Sequence, residues 1–355
     1  MDAQNAIAFR PIRAAAIRSL MSATILAVAM CLSASAIAQA QAPASFAGKQ
    51  LSVALGYGTG GTYYAYAKFI ADHLGQHVEG KPNVLVQSMP GAGGVRMLNS
   101  AAKLMAADGT QLFMPPDTMV ISQTISKEGG QFDARKFHYL ATINQQNNVF
   151  VTRRDVATKL DDLKIKEIVV GHSGIGSAGH IVPSVAKDIL GLKLKLIAGY
   201  EGSRDGILAL ERGEIDGAIY GWETWEQAVP HWFKGDNSFA VAIFQTGPKR
   251  EPALPEVPLL RDMASGDDRA LVELTDTQVV IGRSIALPPN ASKALVAQFR
   301  KSVAQMVEDP AFKEDAERRR LILNPLTGEE LQASIDRAIN APSPALIARA
   351  KKLLQ

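Results

Sequence analysis

Gly56-Tyr57-Gly58-Thr59-Gly60-Gly61 and Pro90-Gly91-Ala92-Gly93-Gly94 are two glycine-rich turns about one βαβ unit apart, each following a β-branched or aliphatic run and opening a helical pattern. Glycine permits positive φ and close backbone approach, and the helix N-terminus that follows carries partial positive charge. The pair therefore predicts a seat for a carboxylate or phosphate, built from backbone N–H groups.

Strand and helix signals alternate around these turns. Leu51 to Leu55 reads as a strand, and Thr62 to Leu74 as a helix with Tyr63, Ala67, Ile70 and Leu74 on one face. Asn83 to Gln87 is a second strand, Val95 to Ala106 a helix with Leu98, Ala101, Ala102 and Met105 inward, and Thr110 to Met114 a third strand stopped by Pro115-Pro116. This βαβαβ order signals a parallel sheet, in which ligands sit beyond the carboxyl ends of the strands.

A second unit repeats the order after Asn144 to Asn148. Val149-Phe150-Val151 reads as a strand crossing between lobes and Ile168 to Gly171 as a sheet strand, with the turn Ser173 to His180 leading into a helix from Ile181 to Leu190. Leu194 to Ile197, a helix from Asp205 to Arg212 and a strand from Ile215 to Ile219 follow. Glu251 to Pro258 holds three prolines and reads as an irregular arm, and Val279-Val280-Ile281-Gly282 reads as the return crossing strand. Leu295, Phe299, Val303 and Met306 form a helical stripe ended by Asp309-Pro310. Thr327 with Glu330 predicts a capping box, and Ser343-Pro344 starts a last helix. The expected organisation is one lobe over 48–148 and 281–355, a second over 149–280, and a hinge between them.

The first forty residues set the expected compartment. Arg10, Arg13 and Arg18 precede an apolar stretch from Leu20 to about Ile37 that ends in Ala38-Gln39-Ala40, the small-x-small pattern of a signal-peptide cleavage site. A membrane-spanning helix is the rival reading of that stretch. Lipidation at Cys31 is disfavoured because Met30 stands where a small residue is needed, and without a twin-arginine pair the general secretion route is expected. Removing residues 1–40 removes the only cysteine and lowers the formal charge from +3 to +1. An exported protein, periplasmic, without disulfide or thiolate chemistry, follows. A nearly neutral chain with no long basic run gives no support for nucleic acid binding.

Gly60-Gly61-Thr62, Pro90-Gly91-Ala92-Gly93-Gly94, Ala107-Asp108-Gly109-Thr110, the loop Gly174 to His180, Tyr200-x-Gly202-Ser203, Gly213-Glu214-Ile215-Asp216 and Pro252-Ala253-Leu254-Pro255-Glu256-Val257-Pro258 occur in one order. This set resembles the periplasmic substrate-binding proteins of tripartite tricarboxylate transporters, the Bordetella uptake gene family, over nearly all of residues 50–340. The resemblance implies an α/β, two-lobed type II (Venus-flytrap) periplasmic-binding-protein fold with two crossing strands. It also implies a monomer that traps a small carboxylate and hands it to membrane subunits driven by an ion gradient. Two departures bear on the ligand. Tyr64 stands where that family has Asp, so that Gly58 to Tyr64 is similar to receptors of tripartite ATP-independent periplasmic transporters, and Glu201 stands where Lys is common.

Candidate ligand contacts are the turn residues Gly60, Gly61, Thr62, Gly93 and Gly94, with Asp117 and Thr118 after the third strand, Ser177 and His180 in the second glycine loop, and Tyr200. Four of the seven tyrosines lie within Tyr57 to Tyr66. Helical spacing assigns Tyr63 to the core and leaves Tyr57 and Tyr64 to line the cleft. Trp222 is a candidate wall or a surface-helix anchor, and His180 a ligand contact or a satisfied buried histidine. Charge-assisted hydrogen bonds contribute ~1.5–3 kcal/mol each, so about four support the ~8 kcal/mol of micromolar binding with no side-chain cation required. Arg96 and Arg204 lie close enough to be candidates.

Rival chemistries are weaker. Gly56-x-Gly58-x-x-Gly61 with Glu79 fits a dinucleotide fingerprint, but so does Gly174-x-Gly176-x-x-Gly179, and an exported protein has little access to NAD. A serine-hydrolase elbow fails because Ile175 sits two before Ser177. His73 and His77 are one helical turn apart but lack further metal ligands. No cofactor, metal or catalytic residue is expected. A sensor with the same cleft and an exported enzyme on a binding-protein scaffold are the alternative readings.

Overall fold

The computed structural model describes residues 43–125 and 131–354; the export segment expected over residues 1–40 lies outside them. Two sheets carry the architecture, and both belong to one compact unit, Ala44–Gln355. The first sheet takes β1 (Gln50–Leu55), β2 (Asn83–Ser88), β3 (Gln111–Met114) and β4 (His138–Thr142). The second takes β5 (Asn148–Arg153), β6 (Ile168–His172), β7 (Leu194–Ala198), β8 (Gly217–Gly221) and β9 (Ala240–Gln245), and the chain then returns to the first as β10 (Ser284–Leu287) and β11 (Leu326–Thr327).

The strand orders are β11-β4-β10-β3-β1-β2 and β7-β6-β8-β5-β9. In each sheet three parallel strands are followed by one antiparallel strand that has just arrived from the other lobe, β10 in the first and β5 in the second. The lobes therefore exchange a strand. β1 and β5 are buried on both faces, which explains their nearly continuous apolar runs, whereas β2 at the edge alternates exposed and half-buried residues.

Helices cover the sheets where the spacing places them. Thr62–His77 buries Ala67, Ile70 and Leu74, and Lys293–Glu308 buries Leu295, Phe299, Val303 and Met306. Asp309 ends that helix and caps the next, Pro310–Arg319, by accepting from the Ala311 N–H. Both halves of the Thr327–Glu330 capping box are formed. The last helix, Pro344–Leu354, buries Ala350 and Leu354 among Ile181, Val182 and Val185 of the second lobe, although its chain position groups it with the first.

The chain passes between sheets at one junction. The Ile143 N–H donates to the Arg283 carbonyl at 2.9 Å, the Arg283 N–H to the Asn144 carbonyl at 2.9 Å, and the Asn324 N–H to the Ile143 carbonyl at 3.1 Å. The return crossing is not a strand over Val279–Gly282. Those β-branched residues close the helix Gly266–Ile281, and a short apolar run reads alike as buried strand or buried helix. Gly282 ends the helix at φ +44°, and only then does β10 begin.

Gly282 is irreplaceable at this junction, since an added Cβ would sit 2.0 Å from the Asn144 carbonyl oxygen and its φ is closed to L side chains. Gly282→Ala is expected to lower stability by about 3 kcal/mol or more, measured by urea denaturation. A change within about 0.5 kcal/mol would show that the junction bends freely.

Candidate functional site

The loops after β1, β2 and β3 meet the loops after β6, β7 and β8 across a cleft at the carboxyl ends of the parallel strands. They touch directly. Gly58 N–H donates to the Glu201 carbonyl at 3.0 Å, Gly93 N–H to the Ser173 carbonyl at 3.2 Å, and Thr118 Oγ1 to the Gly176 carbonyl at 2.6 Å. Thr62 N–H reaches Ser203 Oγ at 3.2 Å. The lobes are thus closed over a cavity of about 60 Å³.

The glycines of the second turn serve this closure. A Cβ on Gly93 would lie 2.3 Å from the Ser177 nitrogen, and one on Gly174 would lie 2.7 Å from the Gly93 nitrogen. Gly94 N–H is taken by the Gly91 carbonyl at 2.9 Å. The N–H groups of Gly93 and Gly94 are therefore spent on protein carbonyls, and the expected anion seat on that turn is not formed. Neither residue lines the cavity. Ser177 does, but its hydroxyl donates to the Gly174 carbonyl at 2.7 Å, so its remaining capacity is as an acceptor.

Of the other sequence candidates, Tyr57, Gly61, Thr62, Asp117 and Tyr200 line the cavity. Gly60 borders a separate groove beside Arg204. Tyr63 and Tyr64 both pack against the first lobe's core, as expected for Tyr63, but it is Tyr63 and not Tyr64 that also lines the cavity. The face shared with Ala67 and Ile70 leaves the sheet at the helix's first turn and emerges at the cleft. Trp222 packs edge-on against Phe233 with ring centroids 5.2 Å apart, away from the cavity lining. His180 lies behind the loop, its ring 5.1 Å from that of His172, which does line the cavity.

The main residue missed from sequence is Arg283. Only 3% exposed, it forms an ion pair with Glu223 of the second lobe and lies over the Tyr63 ring at 3.9 Å. Its Nε and Nη1 have no protein partner among the described residues, and it lines the cavity. Asp117, 4% exposed, lines the same space. Ala178 and Gly179, the first residues of the helix Ala178–Leu190, bring the positive end of its dipole to the opposite wall. A lone arginine beside a glycine, between two apolar runs, was the available signal.

Burial raises the Asp117 carboxyl above its ordinary value, against the pull of Arg283 and hydrogen bonds from Asn148, Tyr63 and the Thr118 N–H. Burial also raises Glu223, again opposed by Arg283. For Arg283, burial works against the charge, but Glu223, Tyr63 and Asp117 outweigh it and the guanidinium is held protonated. Burial raises Tyr57 and Tyr63, leaving neutral phenols. His172 is lowered by burial and takes the Gly174 N–H on Nδ1 at 3.1 Å.

No protein-family model matches the chain, and no curated protein matches it in sequence. Solved structures do. The periplasmic binding protein BugD is 18% identical with a TM-score of 0.67, over 86% of this chain and 97% of that one. MatC from Rhodopseudomonas palustris, with bound malate, is 14% identical with a TM-score of 0.65, over 86% and 99%. A second R. palustris protein, with adipate, is 17% identical with a TM-score of 0.65, over 86% and 97%.

His180 provides a test of the site's packing. Burial, then the neighbouring His172, depress it to about 4 from the ordinary 6.5. The unfolded chain then binds more protons between these values, so stability is full above pH 6.5 and falls as pH drops toward 4. His180→Gln is expected to flatten the decline of melting temperature over that window. An unchanged slope would place the ring in solvent. At 14 to 18% identity the likeness to these structures is one of architecture, and the chain has the two-lobed fold of periplasmic binding proteins.

Proposed function

We propose that the chain is a periplasmic solute receptor of the Bordetella uptake gene family. It would capture a small carboxylate-bearing ligand between its lobes and deliver it to an ion-gradient-driven tripartite membrane transporter. The observation that carries this reading is a cavity between the lobes that is lined by a buried, positively charged arginine. Positive charge at the wall favours a carboxylate on the ligand. The helix N-terminus at Ala178 faces the same space and favours negative charge there. Carboxylate ligands in two proteins of the same fold agree with this reading.

Recognition thus moves from the glycine turns to Arg283. The turns keep a role as the closing surface, because glycine alone lets the loops after β2 and β6 come into contact. These loops narrow the cavity, and ligand entry would widen it by opening about the junction at Asn144 and Arg283. No catalytic step is assigned. Among the described residues no group of three His, Cys, Asp or Glu is placed to hold a metal ion, and no helix is long and apolar enough to cross a membrane.

Small-angle scattering tests the reading. The radius of gyration is expected to fall when a panel of small carboxylates is added and one binds. Gly93→Val, whose Cβ would collide with the Ser177 nitrogen at 2.3 Å, should stay folded by circular dichroism, remain at the open radius and bind at least tenfold more weakly. Full compaction and unchanged affinity in that variant would remove lobe closure from the mechanism.

A further inference from the structure

We propose that the C-terminal helix Pro344–Leu354 is a strap across the two lobes, whose docking sets how readily the cleft between them opens. The inference goes beyond the receptor reading and does not depend on which ligand is bound. Its starting point is connectivity. The preceding helix, Gly328–Asn340, buries Leu331 and Ile335 in the first lobe with Phe113, Phe137 and Tyr139. Only Ala341, Pro342 and Ser343 separate it from the last helix, which packs on the second lobe's helix Ala178–Leu190. Pro344 opens that last helix, and Ser343 Oγ caps it by accepting the Leu346 N–H at 3.2 Å. The chain thus passes between the lobes a third time, after the two passages at the junction of Asn144 and Arg283.

The last helix grips both lobes. Leu346, Ala350, Leu353 and Leu354 share one of its faces by helical spacing, and all four pack into one apolar cluster. That cluster takes Ile181, Val182 and Val185 from the second lobe, and Ile121 and Ile125 from the helix Met119–Ile125 of the first. Met119 and Val120, on the other side of that first-lobe helix, are buried in the first lobe's own core. Arg349 adds a polar hold. Its Nη2 lies 3.0 Å from Asp188 of the helix Ala178–Leu190 and 2.5 Å from Asp268 in the first turn of Gly266–Ile281.

The two helices held in this way are those that carry facing walls of the cavity. Ala178 and Gly179 begin one of them and line the cavity, and the loop before the other supplies Asp117. The Thr118 and Ser122 hydroxyls join the walls by donating to the Gly176 carbonyl at 2.6 and 3.2 Å. A motion that parts the walls carries Met119–Ile125 away from Ala178–Leu190, and one short helix cannot keep its contacts with both unchanged. Whichever side it leaves, apolar surface becomes wet. That cost falls on the open state alone, so the docked strap favours the closed relation of the lobes and a loosened strap favours the open one.

The test loosens the strap in the otherwise intact chain. Ala350→Asp puts a carboxylate into the apolar cluster, whereas Ala348→Asp adds the same charge to the exposed side of the same helix. Amide hydrogen exchange is followed by NMR on protein purified free of ligand. Gly58 and Gly93 report the mouth, because their N–H groups donate to Glu201 and Ser173 of the other lobe, while Val53 and Val170, inside β1 and β6, report global unfolding. Ala350→Asp is expected to speed exchange at Gly58 and Gly93 by about tenfold or more with Val53 and Val170 unchanged, and Ala348→Asp to leave all four as they are. Unchanged exchange at Gly58 and Gly93 in Ala350→Asp overturns the inference, as does an equal acceleration in Ala348→Asp. Where Val53 and Val170 also lose protection in Ala350→Asp, the decision passes to Arg349→Ala, which removes only the polar hold. Faster exchange confined to Gly58 and Gly93 is expected there, and no change at either overturns the strap.

Discussion

A single buried arginine ties the junction between the sheets, the cavity and both lobes together. The Arg283 backbone belongs to the junction where the chain returns to the first sheet, and its side chain spans from Tyr63 of the first lobe to Glu223 of the second. A guanidinium removed from water needs compensation from every side, and breaking a buried pair by deleting one partner costs about 3–5 kcal/mol. Here the compensation comes from different lobes. The charge is therefore compensated only while the two lobes keep their relation at the junction, which makes the floor of the cavity a constrained part of the molecule.

The mouth is built on the opposite principle. Its contacts are a few backbone and hydroxyl hydrogen bonds between loops, among them Gly58 to Glu201, Gly93 to Ser173 and Thr118 to Gly176. Each contributes about 0.5–1.5 kcal/mol net, because water replaces it on opening. Four such bonds amount to a few kcal/mol, the scale on which a ligand's differential affinity can move a two-state equilibrium. Large side chains at the mouth would either block closure or make it permanent. Glycine at positions 93 and 174 leaves the loops close enough to bond and too weakly bonded to lock.

Much of this could be read from residues alone, because it follows from local periodicity. The βαβαβ order, the stripe from Leu295 to Met306, the capping box at Thr327 and the irregular arm from Glu251 to Pro258 all depend on near neighbours in the chain. What escaped is non-local. Tyr63 keeps helical spacing with the core yet sits where the helix emerges from it, and nothing in the spacing marks that boundary. The Gly93 N–H looked free because its acceptor, Ser173, is 80 residues away and belongs to the other lobe. β4, β9 and the helix Gly266–Ile281 were missed because their signals are short or mixed.

Arg283 illustrates the deeper limit. In sequence it is one of 38 basic residues, and its neighbours suggest only a strand. Its meaning comes from the count of charges that folding gathers around it, and that count is invisible until Glu223 and Asp117 are placed. The same burial that makes this guanidinium costly to leave unpaired gathers Glu223 and Asp117, distant from it in the chain, around it.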